Sequence, residues 1–460
     1  MQLEQKSLDA FLEAVKKLDA GFAGLPAFAS RVPGAAGIAE ALAVTAERLH
    51  DNYPYFHPLY AGQMLKPPHP VARLAYALAM WINPNNHALD GGRATTAMEL
   101  EAVAEISAMY GWKECLGHLC GGGTMANLEA LWVASQVSPG KKILASSQAH
   151  YTHQRISAVL QIEFESVPCD SRGRMDMNAL SMLAARGDVG TVVSTMGTTA
   201  TGSVDPLPEI LALREKYGFR VHADAAYGGY FALAENLGEE AAGAFARIGE
   251  ADSIVIDPHK HGLQPYGCGC VLFRDRTAGR FYKHDSPFTY FSSAELHLGE
   301  ISMECSRPGA SAAALWTTQK LLPLVRGGEF ARGLERGREA ALALFETIKS
   351  DGRFVMAFAP QLDILVYVPR ANCVSDASAL SRSIFAAAAK RNLHLAMAEL
   401  PVDFWAANLG EMRRDKETVT CLRSVLMKPE HLEWIPRIGQ ELSAATSEVL
   451  ASTGAARTAR

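Results

Sequence analysis

Cysteine is scarce in this 460-residue chain: eight residues, scattered, with no Cys-x-x-Cys pair. That excludes a disulfide framework. Cys268-Gly-Cys270 lies in an apolar run and reads as two same-facing strand residues. His150-x-x-His153 has no further ligands nearby, so no metal site is expected. Basic runs are missing as well. With a net charge of −5 and no polybasic stretch or acidic tail, nothing points to nucleic acid as a partner. The longest apolar run, residues 71–82, contains Arg73 and falls far short of the roughly 20 residues a spanning helix needs, so no membrane partner is expected. Gln2, Glu4, Gln5 and Lys6 stand where a signal peptide would place an apolar centre, and a cytoplasmic protein is expected. Internal repeats and low-complexity segments are absent.

What is present is ample apolar residue, 48% of the chain, in a length too great for one compact core. Residues 1–85 read as helices broken by Pro-rich turns such as Tyr53-Pro-Tyr-Phe-His-Pro and Lys66-Pro-Pro-His-Pro. From about residue 100 to 320, strand patterns at 142–145, 165–168, 191–194, 220–223, 253–256 and 270–273 alternate with helical ones, which predicts an α/β fold with a mostly parallel central sheet flanked by helices. A long helical stretch, 312–348, leads to strand-like runs at 364–368 and 419–427 around an Ala-rich helix, 377–391; residues 451–460 read as a frayed tail. The expected division is an N-terminal helical segment (1–90), a large α/β domain (91–325) and a smaller C-terminal α+β domain (326–460).

Four blocks carry chemistry. Cys120-Gly-Gly-Gly-Thr-Met-Ala-Asn puts small residues just before a helical pattern, where free backbone N–H groups make an anion site. Ser146-Ser-Gln-Ala-His150 follows a strand and so brings an imidazole to the sheet's carboxyl edge. Met196-Gly-Thr-Thr199-Ala-Thr-Gly-Ser-Val-Asp205 follows another; Asp205, before Pro206, equally suits a turn or helix cap. The last block pairs Asp224, in His222-Ala-Asp-Ala-Ala226-Tyr-Gly-Gly, with Lys260, in Asp257-Pro-His259-Lys. Each follows an apolar strand pattern, and one βαβ unit between them would place both at the same edge of a parallel sheet. An acid and an amine converging there can hold pyridoxal phosphate, the lysine as Schiff base and the aspartate against the pyridine nitrogen.

In this order the blocks resemble the signature of the group II pyridoxal-phosphate-dependent amino-acid decarboxylases, which include aromatic amino-acid, glutamate and archaeal tyrosine or aspartate decarboxylases. The resemblance runs from about residue 55 to 316. It implies a fold type I enzyme with pyridoxal 5'-phosphate as cofactor, Lys260 as its covalent anchor and Asp224 as partner of the ring nitrogen. His150 would lie on the ring with Ala226 on the other face. Gly122, Gly123, Thr124 and His259 would take the phosphate, and Thr199 would sit beside the ring with Asp205 in the same shell. The expected reaction is decarboxylation of an L-amino acid, aromatic or otherwise uncharged, to the amine and carbon dioxide. Tyr290 is the candidate proton donor, with Tyr282 and His284 behind it; Phe288 in that place would instead favour aldehyde formation. Tyr60, Gln63 and Met64 are expected to face the substrate side chain, with Asn83-Pro-Asn-Asn-His87 as a further wall. A homodimer is implied, in which Ser306 and Arg307 reach the partner's cofactor. The alternatives are aldehyde-lyase, aminotransferase or acidic amino-acid decarboxylase activity on the same fold, or a silent cofactor-binding protein.

Overall fold

The computed structural model describes residues 4–28, 37–283 and 302–458. Tyr290, with His284 and Phe288, lies outside the described residues. Among those described, seven strands form one sheet in the order β1-β7-β6-β5-β4-β2-β3. They are β1 Leu116–Cys120, β2 Lys142–Ser146, β3 Phe164–Val167, β4 Val189–Thr195, β5 Arg220–Asp224, β6 Ser253–Ile256 and β7 Gly269–Phe273. Strands β2 to β6 pair in parallel; β7 runs against both β6 and β1. The sheet is therefore mostly parallel, as expected. Val221, Ala223, Ile254, Val255 and Ile256 are all fully buried. Strands covered by helices on both faces need continuous apolar runs of this kind.

A second sheet, ordered β10-β11-β9-β8 and antiparallel throughout, comprises β8 Phe354–Met356, β9 Ile364–Pro369, β10 Ala396–Pro401 and β11 Thr418–Val425. The helices Glu329–Asp351, Val374–Lys390 and His431–Thr458 share a core with it. Three strands escape the sequence pattern. β1 (Leu-Gly-His-Leu-Cys) has a glycine and a histidine in place of β-branched residues, β8 is only three residues long, and β10 (Ala-Met-Ala-Glu-Leu-Pro) does not read as a strand by propensity. The long helical stretch is in fact two helices, Gly309–Leu321 and Glu329–Asp351, because Pro323 cannot continue the first. The last helix is described to Thr458, so it takes in most of the run expected as a tail.

The helices Gln5–Ala20 and Ile38–Leu49 bury none of their residues. No helix among the described residues is long and apolar enough to cross a membrane. Arg307 does not reach outward as expected. It is 5% exposed, pairs with Glu99 (2.5 Å) and donates to the carbonyls of Leu119 and Asn86 (2.8 Å each). Asn86 Nδ2 and the Leu119 amide donate to the same carboxylate at 2.6 and 2.9 Å, so the pair ties β1 to the chain before Gly309–Leu321. Asn86 is thereby a brace for this buried charge and not a substrate wall; breaking such a pair typically costs about 3–5 kcal/mol.

Candidate active site

In the register of β5 against β6, Asp224 lies opposite Val255. Asp224 ends β5 and Lys260 lies in the turn just beyond β6, so both leave the parallel sheet at one edge. β1 runs the same way, since β7 is antiparallel to both β1 and β6, which delivers the glycine block to that edge too. A cavity of about 580 Å³ opens there. Gly122, Gly123, Thr124, His150, Thr199, Asp224, Ala226, His259 and Lys260 all line it, so these residues expected at the cofactor meet in one place, Asp205 excepted.

The glycines end β1 and start the helix Gly123–Val137, which has no side-chain cap at Gly122. Its first-turn amides have no intrahelical acceptor and favour an anion. Gly122 holds φ at 151°, in the region that favours glycine. A Cβ on Gly123 would stand 2.7 Å from Asp257 Oδ2 and 3.3 Å from the Ala226 methyl. The Gly121 amide donates to Glu304 Oε2 (2.8 Å) at the cavity wall.

Lys260 Nζ sits 3.0 Å from Asp257 Oδ2, a carboxylate 2% exposed whose Oδ1 has no hydrogen-bond partner. His259 turns Nδ1 to the Cys268 carbonyl (2.9 Å), and burial lowers its pKa. Burial likewise lowers that of His150, so both rings stay neutral donors or acceptors.

Asp224 is held by a network of buried side chains. His153 Nε2 is 2.8 Å from Asp224 Oδ2 and must donate there, because a carboxylate only accepts. Asn127 Nδ2 donates to the same oxygen at 3.4 Å, and the Ala226 amide to Oδ1 at 3.2 Å. Behind Asn127, its Oδ1 meets His222 Nε2, and His222 Nδ1 meets Ser253 Oγ, each at 2.8 Å. Burial pushes His222 down to about 3, so the relay is a neutral one. For Asp224, burial alone would raise the carboxyl, but the hydrogen bond from His153 and the nearby Lys260 ammonium hold it well below the usual carboxylate range. An acid biased toward its ionised form therefore stands in the cavity wall.

Asn127 lies one turn into the helix after the glycines, and His222 shares a strand face with Asp224 at i, i+2. Those signals were legible. His153, three residues after His150 on the helix Thr152–Val159, is the histidine that bonds Asp224. Asp205 does not line the cavity. It is fully buried and accepts the Met175 and Thr195 amides (2.7 and 2.8 Å), with burial raising its pKa to about 7. It is a brace for the end of β4. Tyr60, Gln63 and Met64 are also absent from the wall. Gln63 Oε1 instead accepts from Arg423 Nη1 (3.2 Å). Arg423, on β11, is 3% exposed and donates to the carbonyls of Thr199 (2.6 Å) and Ala200 (3.0 Å). Among the described residues no carboxylate pairs with it, and no sequence signal marked it.

The family described as pyridoxal-dependent decarboxylase conserved domain matches residues 125–368. The chain is 28% identical over 395 residues to an L-tyrosine decarboxylase of Enterococcus faecium, covering 63% of this chain and 65% of that one, just under two thirds of its length. It is 30% identical over 275 residues to a probable L-tyrosine/L-aspartate decarboxylase of Methanospirillum hungatei, covering 59% and 71%. In fold it resembles mouse CSAD in apo form (TM-score 0.76, 19% identity, 96% of this chain and 99% of that one). It also resembles Oryza sativa TDC with PLP and tryptamine (TM-score 0.73, 16% identity, 96% and 99%).

Proposed function

The chain belongs to the pyridoxal-dependent decarboxylase family, and from that premise we propose that it removes the α-carboxylate of an aromatic or other uncharged L-amino acid to give the amine and carbon dioxide. The observation that carries this reading is the convergence of Lys260, ionised Asp224 and the uncapped helix at Gly122 in one cavity. These residues fit pyridoxal phosphate. The first-turn amides and glycines suit its phosphate, the Lys260 amine its aldehyde carbon, and Asp224 its ring nitrogen, while His150 and Ala226 line the same cavity. When bound, the cofactor supplies an electron sink for bond cleavage at Cα. Asp224 contributes a fixed negative charge, which stabilises a protonated ring nitrogen in a low dielectric. Asp257 and the turn at Lys260 orient the amine.

We propose that Arg423, a buried guanidinium outside the cavity's lining, positions Thr199 of the wall by donating to its carbonyl. The aromatic preference rests on the tyrosine decarboxylase relatives. Tyr290 stays our proposal for the proton donor on sequence grounds. A second copy of the chain is proposed to cover the N-terminal helices, where Leu12, Ile38, Leu42 and Leu49 are each more than half exposed.

Purified holoenzyme screened against the twenty amino acids is expected to release carbon dioxide and amine from L-tyrosine or a similar substrate. Arg423→Met should raise KM at least about tenfold, the loss of a charge-assisted hydrogen bond that holds Thr199 in the wall. Keto acid or aldehyde as product would overturn decarboxylation, and an unchanged KM would overturn the role of Arg423. Gly123→Ala, which forces a methyl onto Asp257, is expected to weaken cofactor binding by about tenfold or more. Gly243→Ala, with nothing within 4 Å, should leave it unchanged. Spectroscopic titration with the cofactor checks both.

A further inference from the structure

Lys260 lines the cofactor cavity, whereas the next residue, His261, lines a second cavity of about 650 Å³ that shares no lining residue with the first. Phe56, Leu263 and Phe330 make its walls partly apolar, and Lys66, Lys428 and Arg332 make them cationic. Lys428 is 4% exposed, yet its ammonium has a carbonyl for company and no counter-ion, donating to Tyr60 O at 2.6 Å. Part-buried Lys66 likewise donates to Met427 O at 3.2 Å. Among the described residues neither ammonium, nor Arg332, has a carboxylate at ion-pair distance, and the rim acids Glu329 and Glu430 are exposed and pair with none of them. His261, 2% exposed, keeps Nδ1 without a hydrogen-bond partner, while its Nε2 lies 3.2 Å from Asp363 Oδ2.

Holding positive charge in a partly apolar cleft is costly when carbonyls are the direct partners and the acids that offset it, Asp363 and Glu430, stand beyond ion-pair distance. Burial, reinforced for Lys428 by the nearby charge of Lys66, pushes Lys428 down to about 7; burial takes Lys66 down to about 8. An oxyanion between the two amines would relieve that cost, and the aromatic walls offer surface to an apolar body. We propose that this cavity binds a small organic oxyanion, a carboxylate or phosphate ester on an apolar group, with its charged end at Lys66 and Lys428 and its body against Phe56 and Phe330. Nothing in this depends on which amino acid the cofactor cavity turns over.

Calorimetric titration of the holoenzyme, whose phosphate cradle is already filled, with phenyl phosphate and with benzoate tests the site. At least one probe is expected to bind one per chain; phenyl phosphate alone would assign a phosphate ligand, benzoate alone a carboxylate. Lys428→Met and Lys66→Met should each weaken binding by about tenfold, the worth of one charge-assisted hydrogen bond, and leave the cofactor's absorbance as it is. Should Lys428→Met not fold, Arg332→Ala at an exposed position is expected to weaken binding severalfold. No binding of either probe, or binding that these variants leave untouched and that therefore lies in the cofactor cavity, would overturn the proposal.

Discussion

Lys260→Ala is expected to abolish the visible absorbance band of the bound cofactor and to lower kcat/KM by about 10⁴-fold or more, the scale of losing a covalent catalytic group. Lys260 is the one lysine in the cavity wall among the described residues, and its amine is aimed by Asp257 at 3.0 Å, so no neighbouring amine can take over. The side chain is only part-buried, and truncation should leave the melting temperature nearly unchanged, which separates loss of chemistry from loss of fold. Cofactor titration followed by absorbance, alongside turnover, checks it. A variant that keeps the band would remove Lys260 from its assigned place.

Asp224→Asn is the second large effect: kcat is expected to fall by about 10³-fold, the scale of losing one preorganised electrostatic group, with KM little altered. Asparagine keeps the volume of the side chain and an oxygen to accept from His153 Nε2, while its amide nitrogen replaces the Oδ1 that accepts from the Ala226 amide at 3.2 Å, so the change removes the charge and that one longer bond. The hydrogen bond from His153 and the nearby Lys260 ammonium already bias Asp224 toward its ionised form across the ordinary pH range. Any acid limb in the wild-type pH–rate profile should therefore come from another group. A variant within tenfold of wild type in kcat would show that the ring nitrogen finds its partner elsewhere.

Much of the site was legible because of one topological fact. Apolar runs before Asp224 and Lys260, with a βαβ unit between, admit few arrangements other than parallel neighbours with both ends at one edge. The same logic delivered His150 and Thr199 after their own strands. It failed where a residue acts through another. His150 and His153 share one short segment, and only the packing of the helix Thr152–Val159 shows that His153 turns to Asp224 while His150 joins the wall. Asp205 followed a strand as well, yet its carboxylate was consumed by the Met175 and Thr195 amides.

The chain's order of residues by itself determined the parallel core, the glycine-opened helix and the acid and amine at one edge, since strand direction and helix ends are local consequences of pattern and spacing. The tertiary structure alone decided which buried charges found partners. Arg307 was claimed by Glu99 across the sheet's rim, Arg423 arrived at Thr199 from the second sheet, and Lys66 and Lys428 came to line one cavity without an acid at ion-pair distance among the described residues. Such pairings join residues hundreds of positions apart, and the cost of burying charge acts through three-dimensional proximity, which no periodicity in the sequence records.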